Sequence, residues 1–413
     1  MRNMKDSGVD WIGGIPTDWS IKRVKVVLKE RNESNNPLKT DFILSLTNDR
    51  GVIPYTEKGD VGNKSKEDLT GYKLAYPGDI VLNSMNVIIG SVALSQYYGC
   101  VSPVYYMLFP RNKHECVRYF NYLFQTKELQ NRLKGYGNGI MEIRMRIQMS
   151  KLNTVLLPVP SAKQQHNCAN YLDDKCAKID AIIARQREVI EKLKAYKLSV
   201  ITEAVTKNKW PIISLRHCIS HIEQGWSPPA AETVDDNKGW NVLSLSSIKN
   251  GVFDKFAIKP IDVNANIPKQ LELCQGDFLM TRSNTRELVG DVCIVDSCDS
   301  HIIFSDLIYR ITFKSSLAPS YAKYVLLSLY VRQQIQEAAR GSSGTMPKIS
   351  HRTIKELKIP LPEVNEQVKI IEVLDEKCKK IDCLIQKKCA LNDKLYEYKN
   401  SLIYEVVTGK REV

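Results

Sequence analysis

From Leu172 onward apolar residues return at steps of four and three: positions 172, 176, 179, 183, 186, 190, 193, 197 and 200 carry Leu, Cys, Ile, Ile, Gln, Ile, Leu, Lys and Val. That period is the seam of a coiled coil, not the alternation of a strand. The stripe returns at 374, 378, 381, 385, 388, 392, 395, 399 and 402 as Leu, Cys, Ile, Ile, Lys, Asn, Leu, Lys and Leu. Two long helical segments are therefore predicted, over 161–207 and 363–413, each following a proline-rich stop, LPVP (157–160) or IPLP (359–362), that ends the preceding domain. Gln186, Lys388 and Asn392 are polar breaks of the kind that fix register at a cost in stability. Two matching stripes in one chain are expected to pair with each other; the competing reading is that each packs only on its own domain.

The segments before the helices, 1–160 and 208–362, read differently. Short apolar runs bounded by Gly and Pro, DIVLNSMNVIIGSVAL (79–94) and DFLMTRSNTRELVGDVCIV (277–295), predict strand, loop, strand. Their tails, 117–133 and 320–339, predict one amphipathic helix each, and glycine-rich loops follow at 135–139 and 341–344. The expected fold class is α+β: two mixed domains in tandem, separated by and joined to two long helices.

The chain is written twice. Laying Ile381-Asp382 on Ile179-Asp180 fixes a shift of 202 residues, and without a gap LDEKCKKID (374–382) falls on LDDKCAKID (172–180) and Gln367 on Gln165. Tyr196, Ile201, Glu203 and Thr206 likewise meet Tyr398, Ile403, Glu405 and Thr408. Pro77-Gly78-Asp79-Ile80 answers Gln275-Gly276-Asp277-Phe278, and Tyr119-Phe120-Asn121-Tyr122 answers Tyr321-Ala322-Lys323-Tyr324, but the domains otherwise match only in outline. Shared segments with divergent domains between them suggest one common geometric task and two different recognition tasks.

Charge adds a partner. Across 413 residues, 59 Lys+Arg against 46 Asp+Glu leave a formal charge of +13, which favours a polyanion. Eleven scattered cysteines contain no C-x-x-C, so they are read as reduced, mostly buried thiols of a cytoplasmic chain; no segment has the apolar length of a membrane span. The six histidines are read as ordinary polar or capping residues, and no metal site is expected. No triphosphate loop of the form G-x-x-x-x-G-K-[ST] is present, nor the Asp/Asn-Pro-Pro-aromatic run that amino-methyltransferases place beside a target base. Glu356-Leu357-Lys358 has no acidic partner at nuclease spacing and reads better as a solvated edge. A catalytic role for the chain alone is not expected, although a self-sufficient DNA-modifying or cleaving enzyme is kept as the alternative, with a protein-binding adaptor behind it.

Donors and acceptors suited to DNA do stand out. Arg282, Ser283, Asn284 and Arg286 form the densest base-reading cluster, in an inter-strand loop; Asn83, Ser84 and Asn86 occupy the matching first loop without arginine. Arginine reads guanine and asparagine reads adenine through paired hydrogen bonds. Arg144, Arg146, Arg340, Lys348 and Arg352 flank the glycine loops, where close approach to phosphate is allowed. A second set, matched between copies yet outside the seam, is Gln165, Tyr196, Glu203, Gln367, Tyr398 and Glu405; an equivalent partner on each copy would explain the match, and packing on the neighbouring domains is the competing reading.

The opening KDSGVDWIGGIPTDWSIKRVK (5–25), the two proline-Gln-heptad-KID segments and the ITEAVTK and IYEVVTGK endings resemble the specificity subunits of type I restriction-modification systems, along essentially the whole chain. The resemblance implies two target-recognition domains, each reading half of a bipartite, asymmetric duplex site, with the helices as an antiparallel spacer. It also implies two methyltransferase subunits docked on this scaffold, through the second set above, and ATP-dependent restriction subunits joined through them. S-adenosylmethionine, ATP and magnesium would then belong to those partners, and this chain would hold no cofactor. The pattern departs at Lys163-Gln164-Gln165, where the second copy keeps Glu366-Gln367, and at Ile190 against Asn392.

Overall fold

A computed structural model describes residues 2–59, 65–85, 91–138, 146–227, 239–261, 267–339 and 346–413. They form two compact units, Met1–Gln186 with Ala390–Val413, and Arg187–Cys389. Each unit is thus a mixed domain together with part of each long helix.

The first unit is built on an antiparallel sheet in the order Leu28–Arg31, Tyr105–Pro110, Ile80–Asn83, Val92–Leu94. Its central strand reads Ile-Val-Leu-Asn with every residue buried, because both faces are covered. Alternate residues serve opposite sides: Ile80 and Leu82 join the core that contains Phe120 and Leu123, while Val81 joins a smaller core with Leu44, Val52 and Met107. The second unit repeats the sheet with Ile219–Gln224, Ile308–Phe313, Phe278–Thr281 and Val292–Ile294. Phe278 and Met280 again face the helical side, and Leu279 the other.

The predicted tail helices are each two helices, Val117–Gln125 with Lys127–Lys134 and Pro319–Leu327 with Leu329–Ala338. The break is local chemistry. The Thr126 hydroxyl donates to the Leu123 carbonyl and the Ser328 hydroxyl to the Val325 carbonyl, satisfying the last turn while the backbone at both residues turns extended.

The long helices run Ala162–Thr206 and Val364–Val407, each about 65 Å at roughly 1.5 Å per residue. Within each unit they are antiparallel and share one ion pair: Lys399 Nζ lies 2.6 Å from Asp180 in the first, and Lys197 Nζ 2.7 Å from Asp382 in the second. At the 202-residue shift these are the same two residues with their helices exchanged. The seam positions are buried or half-buried throughout, from Leu172 to Val200 and from Leu374 to Leu402. Asn392 is buried with its Oδ1 unpartnered, the destabilising kind of register residue.

Helix ends belong to the domain cores. Leu172, Cys176, Leu402, Ile403, Val406 and Val407 complete the first, and Ile201, Val205, Leu374 and Cys378 the second. The expected pairing is therefore present, and packing on the domains accompanies it instead of replacing it. All eleven cysteines are unpaired and seven are buried; burial pushes the Cys168 and Cys176 thiols up to about 11, which leaves them protonated and unreactive at neutral pH. Among the described residues no helix is long and apolar enough to cross a membrane.

Candidate nucleic-acid interface

In the second unit, strand Phe278–Thr281 delivers the chain into the arginine loop. Thr281 closes the loop base, its hydroxyl donating to the Leu288 carbonyl at 2.8 Å and accepting from the Asp291 amide at 2.9 Å. The loop is then stitched to the segment after the second glycine run. The Ile349 amide donates to the Arg282 carbonyl at 2.9 Å, the Ser283 hydroxyl to the Pro347 carbonyl at 3.2 Å, and Ser283 and Lys348 form a β-bridge. Two clusters that are more than 60 residues apart in sequence therefore share one surface, which carries Arg282, Arg286 and Lys348. Arg286 and Lys348 are exposed and Arg282 half-buried. Arg352 is exposed as well, paired at 2.9 Å with Glu356 one turn on, an arrangement weak enough to yield to a phosphate.

Not every expected donor is on that surface. Ser283 is 1% and Asn284 8% exposed, and Asn284 Oδ1 accepts from the Thr285 amide at 2.9 Å. In the first unit Ser84 is fully buried, donating to the Val104 carbonyl at 2.6 Å, and Asn83 Oδ1 accepts from the Met85 amide. These four shape the loops instead of facing outward, and their expected contact with DNA is corrected accordingly: short polar side chains leaving a buried strand are recruited by the local backbone. Arg146 is exposed on strand Arg146–Ile147, and the Ile147 amide donates to the Ser84 carbonyl at 3.0 Å, the first-unit counterpart of the Ile349 stitch. Asn86, Arg144 and Arg340 lie outside the described residues.

The frame beneath these loops repeats in part, down to individual bonds. The Tyr106 hydroxyl donates to the Ile147 carbonyl and the Tyr309 hydroxyl to that of Ile349. Both units place an aspartate after a glycine with φ near +90° (Gly78 at 86° and Gly276 at 92°) that other residues rarely adopt, but the arginine each holds comes from a different strand: Asp79 holds Arg31 of the edge strand at 2.9 Å, and Asp277 holds Arg310 of the strand beside the edge at 3.0 Å. The Gly-Asp match in the sequence is thus a structural turn whose carboxylate, buried at Asp79 and half-buried at Asp277, is held by an arginine of the sheet. Neither tyrosine stands out in the sequence, although Tyr106 and Tyr309 precede the residues whose carbonyls they bond by 41 and 40 positions.

The second matched set divides. Gln165 and Gln367 have no exposed surface. Gln165 Oε1 accepts from the Cys116 amide at 2.9 Å while its Nε2 donates to the Pro160 carbonyl at 3.0 Å; Gln367 does the same with Ala318 and Pro362 at 2.9 and 3.0 Å. Each amide ties the start of a domain helix to the proline stop, so docking through these two residues is corrected to an internal clamp. Tyr122 and Tyr324 donate to Asp173 and Asp375, and burial followed by that carboxylate pushes both phenols well up. Ile201 and Ile403 are core residues. Glu405 is half-buried and held by Arg411 at 2.9 Å, whereas Glu203 is exposed. Tyr196 and Tyr398, 60% and 51% exposed, remain as an equivalent pair of outward aromatic side chains.

A family model described as type I restriction modification DNA specificity domain matches residues 16–192 and 237–392. The chain is 23% identical over 423 residues to the type I restriction enzyme MjaVIII specificity subunit of Methanocaldococcus jannaschii, covering 97% of this chain and 94% of that one. It is 23% identical over 245 residues to the type I restriction enzyme EcoKI specificity subunit of Escherichia coli (strain K12), covering 56% and 52%. A solved chain, from a structure titled for complex assembly and conformational transition of the type I R-M system, shares the fold with a TM-score of 0.69 at 14% identity, covering 96% of this chain and 99% of that one. With matched segments in both units and over most of its length, the chain belongs to the type I restriction modification DNA specificity domain family.

Proposed function

We propose that this chain is the DNA-reading scaffold of a type I restriction-modification complex, with each unit reading one half of a bipartite, asymmetric duplex site. The observation that carries the reading is the repetition of one framework, down to individual hydrogen bonds, beneath loops of different sequence. A frame repeated with that fidelity holds two readers in equivalent poses, and the divergent loops let them read different bases.

In this reading the chain supplies no catalytic group. S-adenosylmethionine belongs to two methyltransferase subunits, docked at the outward faces marked by Tyr196 and Tyr398, and ATP and magnesium to restriction subunits that join through them. The rival is a self-sufficient DNA-modifying enzyme. Incubating the purified full chain with duplex DNA and labelled S-adenosylmethionine separates the two: retention of the duplex without transfer of label is expected. Methyl transfer by the chain alone would overturn the scaffold reading.

Within the second unit Arg282 and Arg286 are the proposed base readers. Arg282→Ala or Arg286→Ala should cost about 1–3 kcal/mol of binding and relax one base position of the second half-site, leaving the first unchanged. Variants that retained affinity and base preference would remove the loop from the interface.

A further inference from the structure

The second unit carries a basic recess that no role above uses. Arg216, His217, His221, Lys314, His351 and Lys355 line a space of about 600 Å³. Four separate pieces of chain build it: the turn Leu215–His217, strand Ile219–Gln224, the residue just beyond strand Ile308–Phe313, and helix His351–Glu356. Backbone bonds lock them together, the Leu215 amide to the Leu357 carbonyl and the Lys314 amide to the Cys218 carbonyl, both 2.8 Å. His217 and His221 stand four apart, but one is on the turn and the other on the strand, so they are not a helical metal-binding pair.

No carboxylate is among the residues that line this space. Glu356 stands at the rim, engaged by Arg352. Six cations or potential cations gathered without a counter-charge repel one another, and a bound polyanion relieves that repulsion. The recess is also continuous with the reading loop. His351 stacks edge-on against Tyr309, with ring centroids 4.7 Å apart, and the Tyr309 hydroxyl bonds the Ile349 carbonyl, whose own amide bonds the Arg282 carbonyl.

Among the described residues the first unit carries a different set at the corresponding places. At the 202-residue shift Met149 stands where the second unit has His351, and Asn153 where it has Lys355. Arg111, which makes the backbone bond that Lys314 makes in the second unit, turns its Nε onto the Lys25 carbonyl at 2.7 Å.

We propose that this recess seats backbone phosphates of the duplex beside the second half-site, with His351 tightening the grip as pH falls. The proposal rests on the reading of the chain as a DNA-binding scaffold. In the free protein, burial first, and then Lys355 on its own helix, Arg282 on the loop and His221 on the strand, hold the His351 pKa below its ordinary 6.5. A phosphate placed among these groups, Arg216 and Lys314 opposes that repulsion and favours the imidazolium. The complex therefore binds more protons than the free chain, so affinity rises as pH falls and levels off once the free His351 is charged.

The test uses the full chain and a labelled random-sequence duplex, with affinity measured across salt at pH 8 and pH 6. Arg216→Ala/Lys314→Ala/Lys355→Ala should bind about tenfold or more weakly at moderate salt, with a log–log salt slope shallower by roughly 0.9 for each phosphate left without its cation. The single variants Lys314→Ala and Lys355→Ala should each trim the slope by up to that step, and they keep the test open if the triple variant melts early. In wild type the affinity should be several-fold higher at pH 6 than at pH 8, and His351→Gln should bring that ratio toward one whatever its affinity at pH 8. Wild-type binding with unchanged slopes in the lysine variants would overturn the phosphate seat and leave DNA recognition standing. A full pH response in the histidine variant would overturn the proton-linked grip. Failure of the wild type to bind duplex at any salt would overturn the DNA reading and the seat together.

Discussion

A chain ending at Ser401 is expected to lose its first unit and keep its second. The deletion removes Leu402, Ile403, Val406 and Val407, all buried in the first core. At about 1.5–3 kcal/mol for each buried aliphatic side chain, the loss is roughly 6–12 kcal/mol, comparable with the whole stability of a typical domain. Polar bonds go as well: the Tyr119 hydroxyl donates to the Val407 carbonyl at 2.8 Å, and the Tyr404 hydroxyl to the Trp11 carbonyl at 2.9 Å. Limited proteolysis should digest the first domain and leave a resistant fragment from the second. Gly409→Ala should act in the same direction by about 1–3 kcal/mol, because Gly409 has φ of 74° and an added Cβ would sit 2.4 Å from Pro16 Cδ. Equal resistance of both domains in the truncated chain would contradict the shared core.

Lengthening both helices together should change where the chain binds without changing what it reads. Four residues inserted after Ala184, and four after its counterpart Gln386, add about 6 Å and turn the seam by about 40°. Each unit retains its own ion pair, Asp180 with Lys399 and Lys197 with Asp382, since neither insertion falls between those partners and their own domains. The preferred gap between half-sites should grow by about two base pairs, at 3.4 Å each. Affinity for the original site should drop on the order of 100-fold, as one half-site goes unread.

The helices and the duplication were legible because each is periodic: a stripe at steps of three and four, and a block repeated at one shift, survive without tertiary information. The ion pairs that mark the direction of the pairing were not legible: each copy carries the aspartate of KID and a lysine four residues beyond its Leu-x-x-Tyr start, but only the fold shows which aspartate meets which lysine. Burial is what misled the site reading. Ser84, Ser283, Asn284, Gln165 and Gln367 have the chemistry of contact residues, yet each is spent on backbone groups at a strand exit or a helix entrance, and composition cannot tell a donor turned inward from one turned outward. The basic recess had no local signature at all, since residues 216–221, 314 and 351–355 meet only after the sheet has formed.

Selection of bound duplexes from a random-sequence pool, run with the wild-type chain and with the doubly lengthened one, bears most directly on the central claim. The wild type should enrich two short, dissimilar base patches at one fixed separation, and the lengthened chain the same two patches about two base pairs further apart. A single uninterrupted motif, no enriched sequence, or new bases at an unchanged separation would contradict two readers held apart by a helical spacer.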